Sequence, residues 1–313
     1  MSATGEEEQL QARVAWYYYV GHLTQQQIAT RLGTSRVRIN RLLSACRESG
    51  LVKISINSRL AECVELEQAL VTGFGLRAAV VVPTPPDPDL VREAIGVGAA
   101  ACLTELIHDG HTVAIGWGRT LTHIRRALPA RSCRATAVAS LQGGLSHCSE
   151  INTFEIVSDF ATLFSADCYF FPAPIYAASE TARDVILAQE GIRETWHKAV
   201  AADVGIVTVG DMRHSLIATY GLSGADELAA LMRAGAVGDL IGHFIDAEGK
   251  LVDHPLNRRI IAVGLDDLRQ IGTVVLAAGG QSKVPVMRAV LRAGYANVLV
   301  CDEAAARKLV ATK

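Results

Sequence analysis

The sequence lacks the features of membrane and secreted proteins. No apolar run approaches the ~20 residues that cross a bilayer, and the opening MSATGEEEQLQ is acidic where a leader peptide would be basic and then apolar. The seven cysteines never form a CxxC pair, so neither a disulfide framework nor a zinc site is predicted. Charged residues make up 20% and no low-complexity tract occurs, which excludes disorder. We therefore expect a reduced, soluble, cytoplasmic protein.

Charge is distributed unevenly along the 313 residues, a length typical of about two domains. Residues 1–56 carry seven basic and four acidic side chains, whereas the remainder carries 23 basic and 28 acidic ones. We call residues 1–57 the head and residues 58–313 the body. A small basic head before a larger acidic body predicts that the head meets a polyanion and the body does not.

Two capped helices separated by a glycine predict a helix–turn–helix in the head. Thr24 is an N-cap with Gln27 three residues later, a capping box that opens the helix QQQIATRL. Gly33 ends that helix, because the tight turn needs a residue that tolerates positive φ. Ser35 caps the second helix, RVRINRLLSACRES. The alternative is a basic, solvated helix in an ordinary bundle.

The outer face of the second helix is the candidate DNA-reading surface. In the major groove, Arg pairs with guanine edges and Asn with adenine edges, and both reach phosphates. The candidates are Arg36, Asn40 and Arg41 for bases, Thr24, Arg38 and Lys53 nearer the phosphate backbone, and Ser35 and Val37 on the same face.

A predicted strand and a further helix follow the helix–turn–helix. The alternating, β-branched run LVKISI (residues 51–56) predicts a short strand, a wing that closes the head. The next helix, AECVELEQALVTGFG, either starts the body or connects to it, and we favour a connector that makes a dimer contact.

From Ala78 onward, short β-branched runs alternate with helical stretches. The predicted strands are AAVVVP, HTVAIG, ATAVASL, VGIVTVG, RIIAVG, TVVLAAGG and NVLVCD. Strands buried on both faces read as continuous apolar runs. The body is therefore predicted to be α/β, a parallel sheet covered by helices.

Three of these strands end in glycine turns where a small ligand could bind. Ligands bind beyond the carboxyl ends of parallel strands, because glycines let backbone N–H groups approach and helix N-termini favour anions. A single such turn often serves chain geometry alone. No turn matches GxGxxG or the Walker pattern and no histidine spacing suggests a metal, so no cofactor is expected. The candidate ligand-binding residues of these turns are Gly116, Trp117, Gly118, Arg119, Thr120, Gln142, Gly143, Gly144, Gly279, Gly280 and Lys283. Asp246, in HFIDAEGK, is a further candidate, as a carboxylate that could bond a polyol hydroxyl.

Several long blocks together resemble one family. These blocks are AWYYYVGHLTQQQIATRLGTSRVRINRLL, IGWGRTL, AGAVGDLIGHFIDAEGK and VVLAAGGQSKVPVMRAVLRAGYANVLVCDEAAARKLV. They resemble the SorC sugar-binding transcriptional regulators, close to the DeoR group, over nearly the whole chain. The resemblance implies a winged helix–turn–helix over residues 1–57. It also implies an effector-binding and oligomerisation domain over 58–313, with the fold of ribose-5-phosphate and glucosamine-6-phosphate isomerases.

The resemblance further implies a dimer or tetramer and an effector that is a sugar, a polyol or a sugar phosphate. Trp117 departs from the family, whose phosphate-binding members tend to carry Ser or Thr in that glycine turn. An indole there predicts stacking on a sugar face. An unphosphorylated polyol or ketose is then an alternative effector to a sugar phosphate.

The predicted function is regulation of a carbohydrate or polyol operon by a protein that binds double-stranded operator DNA and is not an enzyme. One alternative is a sugar-phosphate isomerase. A weaker one is a nucleoid-type DNA binder without an effector.

Overall fold

The computed structural model describes residues 3–48, 51–52, 59–129, 137–145, 152–213 and 224–311. The chain divides into two compact units, Met1–Ser58 and Arg59–Lys313. Across the described part of the chain, every helix is too short or too polar to span a membrane.

The described part of the head contains three helices, α1 (Ala3–Tyr19), α2 (Gln25–Arg31) and α3 (Arg36–Glu48). Ile28 and Ala29 on α2 and Ile39 on α3 are buried between them, and the small Ala29 lets the helices approach. The helix–turn–helix is thereby confirmed. Most of the predicted wing, residues 53–56 of the run 51–56, lies outside the described residues and stays a prediction.

The body contains ten described strands. They are β1 (Ala78–Val82), β2 (Thr112–Ile115), β3 (Ala137–Ser140), β4 (Asp167–Tyr169), β5 (Val204–Val207), β6 (Val209–Asp211), β7 (Gly238–Leu240), β8 (His243–Ile245), β9 (Thr273–Ala277) and β10 (Val298–Asp302). Seven of them form one parallel sheet in the order β1–β10–β9–β5–β2–β3–β4. The predicted parallel α/β architecture is confirmed.

Helices cover both faces of this sheet. The described helices of the body are α4 (Arg59–Phe74), α5 (Val91–Leu106), α6 (Arg119–Ala127), α7 (Thr153–Phe164), α8 (Glu180–Leu187), α9 (Glu190–Val200), α10 (Ala225–Arg233), α11 (Pro255–Arg259), α12 (Leu265–Leu268), α13 (Val284–Arg292) and α14 (Glu303–Ala311). Alternate strand residues fall in different cores, as Val113 and Ile115 do on one face and Ala114 does on the other. Burial on both faces explains why the strands read as continuous apolar runs.

A second, antiparallel sheet, β6–β7–β8, was not predicted. The run VGIVTVG, expected as one strand, divides at Thr208 into β5 of the large sheet and β6 of the small one. Strands of three residues carry too little alternation to be recognised in a sequence.

The predicted strand RIIAVG was wrong. This segment makes only isolated bridges, Ile260 with Tyr176 and Ala262 with Gln142. Ile261 and Val263 are fully buried in the body core, so their apolar character serves packing rather than a β-ladder.

Candidate functional site

The head presents a polar, basic face on α3. Ile39 and Leu42 point into the core, and the side chains between them face outward. The exposed set contains all the predicted residues on this helix and its N-cap, namely Ser35, Arg36, Val37, Arg38, Asn40 and Arg41. Lys53 lies outside the described residues, so its role stays a prediction.

Local hydrogen bonds orient this face. The Thr24 hydroxyl accepts from the Gln27 amide at 3.3 Å, and the Gln27 side chain accepts from the Thr24 amide at 2.9 Å, which confirms the capping box. Gly33 has φ +62°, as the turn requires. The Ser35 hydroxyl accepts from the Arg38 amide at 3.3 Å and so starts α3.

A cavity of about 350 Å³ opens in the body at the carboxyl ends of β2, β5 and β9. Parallel sheets bind ligands at this edge. Two of the three predicted glycine turns converge on it. The predicted residues that line the cavity are Trp117, Gly118, Arg119, Gly279, Gly280 and Lys283.

Gly118 allows the first turn to approach its neighbour. Its φ is +130°, and a Cβ on it would lie 2.3 Å from the Thr208 hydroxyl. That hydroxyl donates to the Trp117 carbonyl at 2.7 Å, joining the ends of β2 and β5. Gly118 also begins α6 without a side-chain cap, which leaves the positive end of this helix at the cavity.

Trp117 is only 4% exposed, since it belongs to an apolar cluster with Ile175, Phe244 and Leu256. Little of the indole face is free. Stacking of the indole on a sugar stays a prediction, limited by this packing to the small exposed portion of the ring.

The third glycine turn is not brought to the cavity lining. The Gly143 amide donates to the Ile261 carbonyl at 2.9 Å, and the Gly144 amide donates to the Ala173 carbonyl at 3.0 Å. Gln142 is fully buried, and neither of its side-chain polar atoms has a hydrogen-bond partner among the described residues. The backbone amides of Gly143 and Gly144 are therefore occupied by hydrogen bonds within the fold.

Three other predicted residues also lie outside the lining. Gly116 and Thr120 are buried beside the first turn, and the Gly116 amide donates to the Ile206 carbonyl at 2.9 Å. The Asp246 carboxylate accepts from the amides of Glu248 and Lys250, at 3.0 and 2.8 Å, and so holds the turn after β8.

The cavity contains charged groups that sequence reasoning missed. Arg92, Asp211 and Asp239 line it together with Lys283. Burial raises the pKa of Asp239 to about 6, with Asp211 adding and the Gly242 amide and Lys283 opposing. Burial also lowers the pKa of Lys283, although Asp211 and Asp239 counteract it. Carboxylates and cations thus share one small space.

A repeated tripeptide in the sequence could have pointed to Asp211 and Asp239. Both occur in the sequence VGD, and the two copies pair across β6 and β7, with Gly210 opposite Asp239 and Asp211 opposite Gly238. A Cβ on Gly210 would lie 2.1 Å from the Asp239 carboxylate, so the glycine is needed for this approach. The described residues contain no group of three His, Cys, Asp or Glu side chains suited to a metal ion.

Two family models match the chain. The family model of the sugar-binding domain matches residues 58–311, and that of the Crp-like helix-turn-helix domain matches residues 9–68. The chain is 33% identical over 317 residues to the transcriptional regulator LsrR of Klebsiella pneumoniae subsp. pneumoniae, covering 97% of this chain and 94% of that protein.

Two further similarities cover nearly the whole chain. It is 31% identical over 307 residues to the erythritol catabolism regulatory protein EryD of Brucella abortus, with 97% of each protein covered. The crystal structure of the full-length sorbitol operon regulator SorC from Klebsiella pneumoniae has a TM-score of 0.74 and 28% identity, over 97% of this chain and 99% of that chain.

Proposed function

This chain is a DNA-binding transcriptional regulator of the SorC family, and on that premise we propose that a small carbohydrate in the cavity of the body controls how the head binds operator DNA. Its relatives are regulators, so the isomerase alternative is not retained. The observation that carries the proposal is a cavity at the carboxyl ends of three strands that holds both cations and carboxylates.

The effector is a single sugar or polyol, free or phosphorylated. A volume of about 350 Å³ is near the lower end of the roughly 300–1,000 Å³ typical of ligand pockets. The names of two similar proteins refer to erythritol and sorbitol, which supports a polyol.

The charges suggest how such a ligand is held. Hydroxyl groups of the ligand donate to Asp211 and Asp239, because carboxylates are strong acceptors. A phosphate, where the ligand has one, binds the N-terminus of α6 beside Arg119, because backbone amides and the helix dipole favour anions there. Lys283, between carboxylates and arginines, contacts either group.

On the head, α3 enters the major groove. Arg36, Asn40 and Arg41 read base edges while Ser35, Val37 and Arg38 lie beside them, and Thr24 and Lys53 are nearer the phosphates. The Arg36 Nε already donates to Gln25 at 3.4 Å, which ties the reading helix to α2.

Helix–turn–helix proteins read near-palindromic sites with two-fold symmetry, so the working form is at least a dimer. A protein that acts on operator DNA works in the cytoplasm. The effector changes the geometry of the subunits and thereby the separation of the reading helices.

Fluorescence anisotropy with DNA from upstream of its own operon tests the proposal. Erythritol, sorbitol, erythritol 4-phosphate and sorbitol 6-phosphate are added one at a time. A coupling of about 1–3 kcal/mol would change the DNA dissociation constant about 5- to 150-fold. If none of the four compounds changes DNA affinity or thermal stability, the effector assignment fails.

Lys283→Met is the informative variant, and Lys250→Met is its matched control. Lys250 is an exposed lysine in the turn after β8 and does not line the cavity. We expect Lys283→Met to bind DNA normally and to lose the response to the effector, whereas Lys250→Met keeps both.

A further inference from the structure

Asp302, at the end of β10, is hydrogen-bonded to the turn Gly279–Lys283, the second glycine turn that lines the cavity. It is 1% exposed and does not line the cavity. One carboxyl oxygen accepts from the Gly280 amide at 2.7 Å. The other accepts from the Thr84 hydroxyl at 2.9 Å and from the Ala305 amide at 3.4 Å. One buried side chain therefore joins the cavity turn, the loop after β1 and the start of α14.

Both glycines of the turn are explained by this contact. A Cβ on Gly279 would lie 2.3 Å from the Asp302 carboxyl oxygen, so a side chain at position 279 would force the carboxyl away. Gly280 has φ +84°, a conformation that suits glycine, so the chain can continue into Gln281–Lys283 while its amide stays bonded to Asp302. The two glycines of AAGG thus make room for the buried carboxyl group of Asp302 and allow the hydrogen bond to it.

We propose that Asp302 is a positioning residue of the effector site, which fixes the backbone of Gly279–Lys283 so that Lys283 is directed to the ligand. The proposal rests on the proposed function, since it concerns the same cavity. The turn is also held from its other side, where the Ser282 hydroxyl donates to Asp211 at 3.0 Å. Without Asp302 the Gly280 amide would lose its acceptor, and the turn would be held by side chains alone, through Ser282 and through Gln281, which accepts from Lys308 at 2.7 Å. A preorganised binding geometry would then be lost.

Two measurements on the full-length chain test this role. Hydrogen–deuterium exchange reports the protection of residues 279–283 without any ligand. Titration with the four polyols and polyol phosphates named above reports effector affinity. For Asp302→Ala we expect loss of protection in this turn and about tenfold weaker binding, with DNA affinity in the absence of effector unchanged.

Asp302→Asn separates positioning from general stability. The amide oxygen can still accept from Gly280, while its NH₂ group faces the Thr84 hydroxyl, which can accept, and gives up the long bond to the Ala305 amide. We expect this variant to keep protection of the turn and to bind within about threefold of the wild type. Thr84→Val decides the question if Asp302→Ala does not fold. It removes the stronger of the two bonds to one carboxyl oxygen, leaves the Ala305 amide on that oxygen and should partly deprotect the turn.

Asp203→Ala is the matched control. The Asp203 carboxyl also accepts from a backbone amide of a neighbouring strand, that of Thr112 at 2.8 Å, but at the opposite end of the sheet. It should leave the turn and effector affinity unchanged. Wild-type protection and affinity in both Asp302→Ala and Thr84→Val would overturn the proposal. If the wild type binds none of the four compounds, the proposed effector class fails, and the exchange data still judge Asp302.

Discussion

The head and the body differ in how far their candidate functional side chains are buried. On α3 the DNA-reading candidates are exposed, and Val37 is 63% exposed. In the body, Asp211 and Asp239 are 5% and 4% exposed and come from strands that pair only in the folded state. Substitutions on the exposed face of α3 should therefore cost little stability. Substitutions in the cavity should change ligand binding and the stability of the fold together.

Two glycines with positive φ allow the sharpest test of this contrast. Gly118→Ala places a Cβ 2.3 Å from the Thr208 hydroxyl, whereas nothing lies within 4 Å of a Cβ on Gly33. We expect Gly118→Ala to lower the free energy of unfolding of the body by about 2–5 kcal/mol, from strain and overpacking together. Gly33→Ala should cost the head about 1 kcal/mol. Denaturant unfolding measures both, and equal costs would contradict the contrast.

Removing an exposed arginine should affect DNA binding alone. For Arg36→Ala we expect a loss of about 1–3 kcal/mol in binding and relaxed base preference, with the free energy of unfolding unchanged within about 0.5 kcal/mol. A mobility-shift titration against the operator and mutated operators measures this. Arg13→Ala, an exposed arginine on α1, is the control. Unchanged affinity and preference in Arg36→Ala would remove α3 from the reading surface.

Protonation of the Asp239 carboxyl group should appear in the pH dependence of the free energy of unfolding. The raised pKa of Asp239, about 6 against 3.8 for a free side chain, means that the native state takes up a proton as the pH falls from about 6 to 4. This uptake raises the free energy of unfolding over that range. His243 acts oppositely, because burial lowers its pKa from 6.5 to about 4 and acid therefore favours the unfolded state.

Asp239→Asn removes the first effect and leaves the second. We expect the variant to be more stable than the wild type near pH 7.5 and to lose that advantage, by about 1–2 kcal/mol, as the pH falls to 4.5. Urea unfolding across this pH range measures the difference. Asp266→Asn, at an exposed carboxylate, is the control. Parallel curves for Asp239→Asn and the wild type would refute the expectation.

The smallest expected effect concerns a cap in the head. Thr24→Ala removes the capping box and should cost about 1 kcal/mol. Thr30→Ala on the same helix removes only a bond from the hydroxyl to the Gln26 carbonyl and should be nearly neutral. Thermal unfolding of the full-length variants compares them. A larger loss for Thr30→Ala would show that the cap does not determine the start of α2.

Sequence reasoning identified the head more completely than the cavity. The capping box at Thr24, the turn at Gly33 and the outward face of α3 depend on residues a few positions apart, so their spacing is visible in the sequence. In the body, the turns at Gly118 and Gly280 were recognised for the same reason. The turn at Gly143 gave an equally good local signal, yet its amide is used by Ile261, a residue far along the chain.

By itself, the sequence determined the parallel α/β class, the helix–turn–helix and two of the turns that line the cavity, because periodicity, caps and glycine act over a few residues. Only the tertiary structure decided which charges meet. Asp211, Asp239, Arg92 and Lys283 belong to distant segments and share one small space because strand order and the pairing of the two VGD tripeptides bring them there. Burial in that space then raises the pKa of Asp239 and lowers the pKa of Lys283, since the cost of removing a charge from water exists only once the chain is folded.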